Sequence, residues 1–402
     1  MIRLLSERIA ERGLPLREWF EHHQRSLAHP EPPIYASIDL RNAGFKVSVV
    51  DTNLFPAGFN NLCETFSAKA SEAFSVFLRQ WHPSVKKIQI VPEEHTRNVY
   101  YLKNIEALRR ILSQAGVEVS VRSLSESVME SENFQPDLIL LNNDLSTGVP
   151  SYLKDRKELI LPNPALGWYQ RRKSDHFRHY LRLTTEAGEI LDIDPWFLSP
   201  LTTVEDGIDL ADEGSLKRLK ESTDQLILQI RKKYLQHGIQ REPYLFVKSD
   251  SGTYGMGIVH VTSGEQILQM GRKARNKLAS SKGGRTISEY LLQEGIPTAD
   301  RYRGKSLEPV VYLVGGEMAG TFFRIHDEKN DMENLNQPGM RFACLCLHKL
   351  DGKEHHCELS YENSDQLLSV GSFLGRIASL AASYELEEWL TPLAPRVKSF
   401  LK

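Results

Sequence analysis

The residues best suited to chemistry lie in YLFVKSDSGTYGMGIVHV, positions 244–261. An apolar run ends at Lys248. Gly252, Gly255 and Gly257 follow, and a second apolar run then resumes. Glycine admits positive φ and lets backbone N–H groups close on anionic oxygens with no Cβ in the way. Ser249, Ser251 and Thr253 add hydroxyls, and a lysine fixed at a strand end supplies a cation at short range. The pattern suits a triphosphate. A Walker loop would run into a helix and end in Gly-Lys-Ser/Thr, and a dinucleotide fingerprint also opens a helix, whereas this loop returns into a strand. The kinase signatures His-Arg-Asp and Asp-Phe-Gly are missing. A plain glycine-rich hairpin is the competing reading.

Further along, TISEYLLQEGIPT (286–298) reads as an apolar strand ending in Gln293, Glu294 and Gly295, with Ile296 just beyond. EPVVYLVGGEMAGTFFRIH (308–326) reads as a hairpin ending near Arg324, where a guanidinium can meet charge developing on a transferred phosphate. DMENLNQPGMRF (331–342) offers Glu333, Asn334 and Asn336, oxygen ligands of the kind Mg²⁺ takes. A surface salt bridge for Arg324 and a capped turn for the asparagines are the plainer alternatives. A strand–loop–strand phosphate cover followed by these features matches the order found in ATP-grasp enzymes. There the later strand acts as a hinge that reads adenine, with an acidic residue near the ribose. Cys344, Cys346 and His348 near His355, His356 and Cys357 match no standard zinc spacing, and FACLCLHKL alternates like a strand. His176 and His179 read as packing or exposed residues, and Cys63 as a buried structural cysteine.

The elements that must position these residues follow from periodicity. IYASIDL (34–40), KVSVV (46–50), KKIQIVP (86–92), VEVSVRSL (117–124), DLILLNN (137–143) and ELILPNP (158–164) are strand candidates. Helical patterns cover 61–81 and 98–116, with Tyr101, Ile105, Leu108 and Leu112 on one face. The order β-α-β-α-β-β predicts an α/β layered domain with a largely parallel sheet. Such sheets place ligands past the C-terminal ends of their strands. That directs attention to Asp39, Arg41 and Asn42, to Glu94 and Arg97, and to Asn142 and Asn143, as a group suited to a small polar substrate. Helices are also predicted over 212–238 and 363–390, with several strands between 244 and 350. The expected class is α/β (α+β), with an N-terminal layered domain over 1–164 and a second domain over 165–402.

Composition bounds the rest. The 402 residues suggest two or three structural units, and 41% apolar with 25% charged is an ordinary globular balance. A net charge of −2 gives no electrostatic case for nucleic acid. No run reaches the roughly 20 apolar residues needed to span a bilayer. MIRLLSERIAERGLPLREWFEHH mixes charges and apolar residues at helical spacing, so it reads as an amphipathic helix and not a signal peptide. Four cysteines in so long a chain fit a reducing compartment, taken as the cytoplasm. Oligomeric state is left open.

Several segments together resemble the ATP-grasp type of proteobacterial glutamate–cysteine ligase. They are SIDLRNAGFK (37–46), DTNLFPAGFNNL (51–62), PNPALGWYQRRKSDHF (162–177), KSDSGTYGMGI (248–258), QEGIPT (293–298), EPVVYLV (308–314) and ENLNQPGM (333–340). The resemblance implies an ATP-grasp fold for 165–402, and ATP and Mg²⁺ as cofactors. It also implies γ-glutamylcysteine formation from glutamate and cysteine through an acyl-phosphate. Lys173 and Lys248 match the two ATP lysines, with Ser251, Gly252, Gly255 and Gly257 over the phosphates. Gln293, Glu294 and Ile296 fall at the hinge, and Arg324 at the reacting phosphate. Asp39, Arg41, Asn42, Lys46, Asn60 and Asn61 are implied for amino-acid recognition. The family's late Glu-x-Asn metal motif is missing after residue 340. Glu308, Glu333, Asn334 and Asn336 are therefore the metal candidates. Two other readings stand beside this one: a different carboxylate–amine ligase such as a glutathione synthetase, and a nucleotide-binding protein without catalysis.

Overall fold

In a computed structural model the chain is described over residues 1–93, 98–122, 134–154, 156–252, 257–279, 287–346, 359–360 and 363–391. Two helices open it, α1 (Ile2–Glu11) and α2 (Gly13–Ser26). Strands β1 (Tyr35–Asn42) and β2 (Val47–Asn53) follow as a hairpin. Next come α3 (Glu64–Trp81), β3 (Lys87–Pro92), α4 (Val99–Gln114), β4 (Glu118–Val121), β5 (Leu138–Asn142), the single turn α5 (Ser151–Lys154) and β6 (Leu159–Leu161). The middle of the chain forms α6 (Lys173–Leu191), β7 (Thr202–Glu205), α7 (Glu213–Gln236), β8 (Leu245–Ser249) and β9 (Ile258–Val261). Then follow α8 (Glu265–Leu268), α9 (Arg272–Leu278) and β10 (Tyr290–Glu294). The last elements are β11 (Arg301–Tyr302), β12 (Lys305–Val314), β13 (Glu317–His326), β14 (Met340–Cys346), β15 (Leu359–Ser360) and α10 (Ser364–Leu390).

Three sheets organise these elements. The parallel sheet, in the order β4-β3-β5-β6, carries the α/β alternation expected for the N-terminal stretch. An antiparallel sheet, β7-β10-β8-β9, holds the glycine-rich turn between β8 and β9. The largest sheet runs β15-β14-β13-β12-β1-β2, with β11 on β12. The sequence reading placed β1 and β2 in the parallel layer. They instead form an antiparallel hairpin paired with β12, more than 260 residues downstream (Ile38 opposite Val311). The physical reason is the connection. The Ala43 amide reaches the Lys46 carbonyl at 2.8 Å, with Gly44 at φ +80°, and a link this tight cannot make the crossover a parallel pair requires. The largest sheet therefore draws strands from both sides of residue 164.

Side-chain alternation gives that sheet two distinct faces. Ile38 and Leu40 of β1, with Val311 and Leu313 of β12, face α10. There Gly371 and Gly375 let the helix close onto the strands, since a Cβ at Gly375 would lie 2.8 Å from Leu313. The opposite face packs α3, where a Cβ on Gly320 would lie 2.9 Å from Phe66. Beyond α3 the same face carries Asp39, Arg41, Glu308 and Arg324. Helix α10 is long and apolar enough to cross a bilayer by composition, and 72% of its most apolar window is buried inside the protein. Helix α7 begins where the Asp212 carboxylate accepts the Ser215 amide at 2.7 Å, and it ends just before Gly238 at φ +67°.

Candidate active site

A cleft of about 500 Å³, its open mouth included, lies between the largest sheet and the β7-β10-β8-β9 sheet. Asp39, Arg41, Val50, Asp51 and Glu308 of the largest sheet form one wall. Phe246 and Lys248 of β8, Ile258 of β9 and Ile296 form the other, and Asn334 and Asn336 close one side. The cleft is apolar along one stretch and densely charged along the rest.

One lysine, Lys248, lines the cleft, and a second, Lys173, lies beside it against Asp51. Lys248, at the end of β8, is buried. Its ammonium donates to the Gln293 side-chain oxygen at 2.5 Å and to the Val50 carbonyl at 3.1 Å. Burial lowers its pKa to about 8 against the pull of Asp51. Lys173, the first residue of α6, donates to the Gly252 carbonyl at 2.7 Å and lies 3.9 Å from Asp51. Its ammonium also sits 4.0 Å above the centre of the Trp168 ring. Burial again shifts this lysine downward, with Asp51 opposing. The start of α6 is tied to the glycine turn through Asp250. That carboxylate accepts the Ser174 amide at 2.8 Å and its hydroxyl at 2.6 Å.

Between the lysines stands Asp51, a residue the sequence reading did not single out. Burial acts to raise its pKa, but Lys173, Lys248 and Arg171 together hold it below the usual carboxylate value. In the β1–β2 register Asp51 is directly opposite Asp39. Like charges at such a pair repel, so the two acids need the cations around them. Its one signal in the sequence was its place at the head of DTNLFPAGFNNL.

Farther along the wall, charges alternate. Arg324 donates to both oxygens of Asp39, at 2.9 and 3.2 Å, and to Glu308. Arg41 reaches Glu308 at 2.6 Å and donates to the Asp331 and Glu333 carbonyls. Burial acts to raise Glu308, yet Arg41 and Arg324 pull it lower. Asp39 is raised by burial in spite of Arg324. Among the described residues the buried Nε of Arg324 and the amide nitrogens of Asn334 and Gln293 have no hydrogen-bond partner, leaving donors in and beside the cleft for a ligand to meet.

The other residues singled out from the sequence divide clearly. Ser251, Gly252 (φ +108°) and Gly257 (φ +65°) form the described parts of the turn, while Gly255 lies outside the described residues, as do Glu94 and Arg97. Lys46 and Glu294 do not line the cleft. They are 0% and 1% exposed and bond each other at 2.8 Å, with Lys46 over the Trp196 ring and Glu294 also accepting the Leu201 amide. Asn42 bonds Asp300 and caps Gly44. Asn60 bonds Asn61 on the turn before α3. Asn142 is engaged by Asn104, Pro56 and Tyr35, and Asn143 caps the Leu145 amide. Glu333 turns away from the cleft to Lys329 and the Asn330 amide. Among the described residues no three His, Cys, Asp or Glu side chains converge as a metal cage. His176 is buried against Glu385, and His179 lies beside Glu388.

Comparison with known proteins adds to this geometry. A family model described as GshA, glutamate-cysteine ligase, matches residues 7–133 and 125–386. The chain is similar to a solved structure described as a "Putative gamma-glutamylcysteine synthetase" from Methylobacillus flagellatus KT. The two are 35% identical with a TM-score of 0.83, over 96% of each chain. A D-cycloserine synthetase structure, DcsG, matches at 12% identity and a TM-score of 0.38, over 73% of this chain and 82% of that one. A search among curated proteins found no match.

Proposed function

The chain belongs to the glutamate-cysteine ligase family, and from that premise we propose that its cleft forms γ-glutamylcysteine from glutamate, cysteine and ATP through γ-glutamyl phosphate. The observation that carries this reading is the convergence of Lys173 and Lys248 on Asp51, beside Gly252 at the start of the glycine-rich segment. Two buried ammonium groups beside a backbone turn at positive φ suit a polyphosphate. The apolar stretch of Val50, Phe246, Ile258 and Ile296 suits a purine. On this reading the largest sheet and the β7-β10-β8-β9 sheet clasp the nucleotide in the ATP-grasp manner.

The γ-carboxylate of glutamate attacks the terminal phosphorus, and ADP departs. Lys173, Lys248 and Arg324 balance the charge that spreads over the transferred group. The cysteine amine then attacks the acyl carbon, phosphate leaves, and the amine's proton goes with it. Arg41, on the wall formed by the largest sheet, suits the α-carboxylate of an amino acid. Lys46, Asn42, Asn142 and Asn143 act in the framework around it.

Mg²⁺, when bound, neutralises phosphate oxygens and orients them for in-line transfer. The donor set fits an ion that arrives with the nucleotide, because such a Mg²⁺ needs only one or two carboxylates from the protein. Asp39 and Glu308, with the side-chain oxygen of Asn336, would hold it. Arg324 and Arg41 already balance both acids, which argues against a permanent metal cage.

The test is phosphate release from Mg-ATP with glutamate alone, cysteine alone, both, and γ-glutamylcysteine plus glycine. Release that requires both amino acids, with γ-glutamylcysteine detected by mass spectrometry, is the expected result. Release only with γ-glutamylcysteine and glycine would move the substrate assignment to the next peptide bond.

A further inference from the structure

Helix α10 is apolar along most of its buried face, yet near its end it buries a carboxylate, Glu385, at 2% exposure. A buried acid is costly unless it is fully paired. Here it receives two bonds from the Arg171 guanidinium, at 2.8 and 3.1 Å, and one from His176. Arg171, itself 1% exposed, uses its remaining arm on the Thr52 carbonyl at 2.8 Å.

The two places this anchor grips are informative. Thr52 follows Asp51 in the chain, and Arg171 precedes Lys173 by two residues. Asp51 lines the cleft, and Lys173 meets it at 3.9 Å. A single carboxylate on a distant helix thus fixes the neighbours of both members. We infer that Glu385, acting through Arg171, is a positioning residue that sets the spacing of Asp51 and Lys173 and so tunes the affinity of the nucleotide phosphate site. The inference rests on the nucleotide reading given above. It concerns a residue that touches neither ATP nor amino acid. Burial acts to raise the pKa of Glu385, but Arg171 and His176 bring it down to about 2, so the anchor stays charged at any working pH.

The test uses the full chain and measures equilibrium ATP binding by calorimetry alongside KM for glutamate. In Glu385→Gln, ATP affinity is expected to fall about tenfold or more, since ångström-scale misplacement of a charged group has effects of that order. KM for glutamate should stay within about twofold. Should Glu385→Gln fail to fold, Glu385→Asp keeps the charge and retracts it by one methylene, and the same split between ATP and glutamate is expected. A folded variant that binds ATP like the parent overturns the proposal. So does an equal loss for ATP and glutamate, the mark of a merely structural role. Lys173→Met separates the two layers of argument. Unchanged ATP affinity there removes the nucleotide reading itself. Lost affinity there, with Glu385→Asp unaffected, removes only the anchor.

Discussion

Lys248 concentrates the residue-scale argument. Burial sets its pKa near 8, well under the ordinary lysine value. Its ammonium is therefore present below that pH and lost as pH rises through it. If the charge holds phosphate, KM for ATP should climb as pH is raised from about 7 to about 9, with KM for glutamate changing less. A flat ATP profile over that range would remove Lys248 from the phosphate site. Lys248→Ala should lower kcat/KM by about a hundredfold, the usual scale for losing one charge-stabilising group, with an unchanged circular dichroism spectrum. Lys248 and Arg324 stand out in the sequence because a cation near the end of an apolar strand has few structural uses, whereas Lys173, the first residue of α6, enters through the family resemblance alone. Asp51 does not stand out, since one acid after KVSVV looks like ordinary loop polarity until strand pairing sets it against Asp39. Glu294 read as an open hinge because its partner, Lys46, is 248 residues away.

At the scale of elements, the Lys46–Glu294 pair bolts the hairpin that leads into β2 to the end of β10, joining the two sheets that bound the cleft. Lys46→Met leaves Glu294 charged and buried without its cation, which should destabilise the protein by about 3–5 kcal/mol. Lys46→Met with Glu294→Gln should recover most of that, because neither partner is then stranded. Urea midpoints of the two single variants and the double variant measure the coupling, and additive losses would show that the bolt carries no joint energy. Local patterns located the elements well. The helix read over 212–238 runs Glu213–Gln236, and that over 363–390 runs Ser364–Leu390. What those patterns lacked was partnership. Alternation tells which face of β1 is buried, but it does not say that β12 lies beside it.

The whole molecule is stitched by that pairing. Its largest sheet joins residues 35–53 to residues 305–346, so neither end of the chain completes it alone. The parallel layer β3–β6 uses only nearby strands and was legible for that reason. A fragment of residues 1–164 should therefore keep the parallel layer but leave β1 as an apolar edge with no neighbour on its β12 side, a template for self-association. Size-exclusion chromatography should show that fragment aggregating while the full chain does not. A stable, monodisperse fragment would mean that β1 and β2 have another way to be covered. Long-range pairing of this kind also slows folding, since loop closure precedes any gain from contact.

The ammonium of Lys173 resting on Trp168 has an optical consequence. An indole's emission depends on the charge held against its ring, and this charge is the one proposed to move onto phosphate. Of the five tryptophans in the chain, Trp168 would then report occupancy directly. Titrating ADP should change the emission of the parent and leave that of Trp168→Phe unmoved. A signal that persists in Trp168→Phe would place the reporter elsewhere. If the change is confined to Trp168, the protein carries its own gauge of nucleotide binding, readable without a label or a coupled assay.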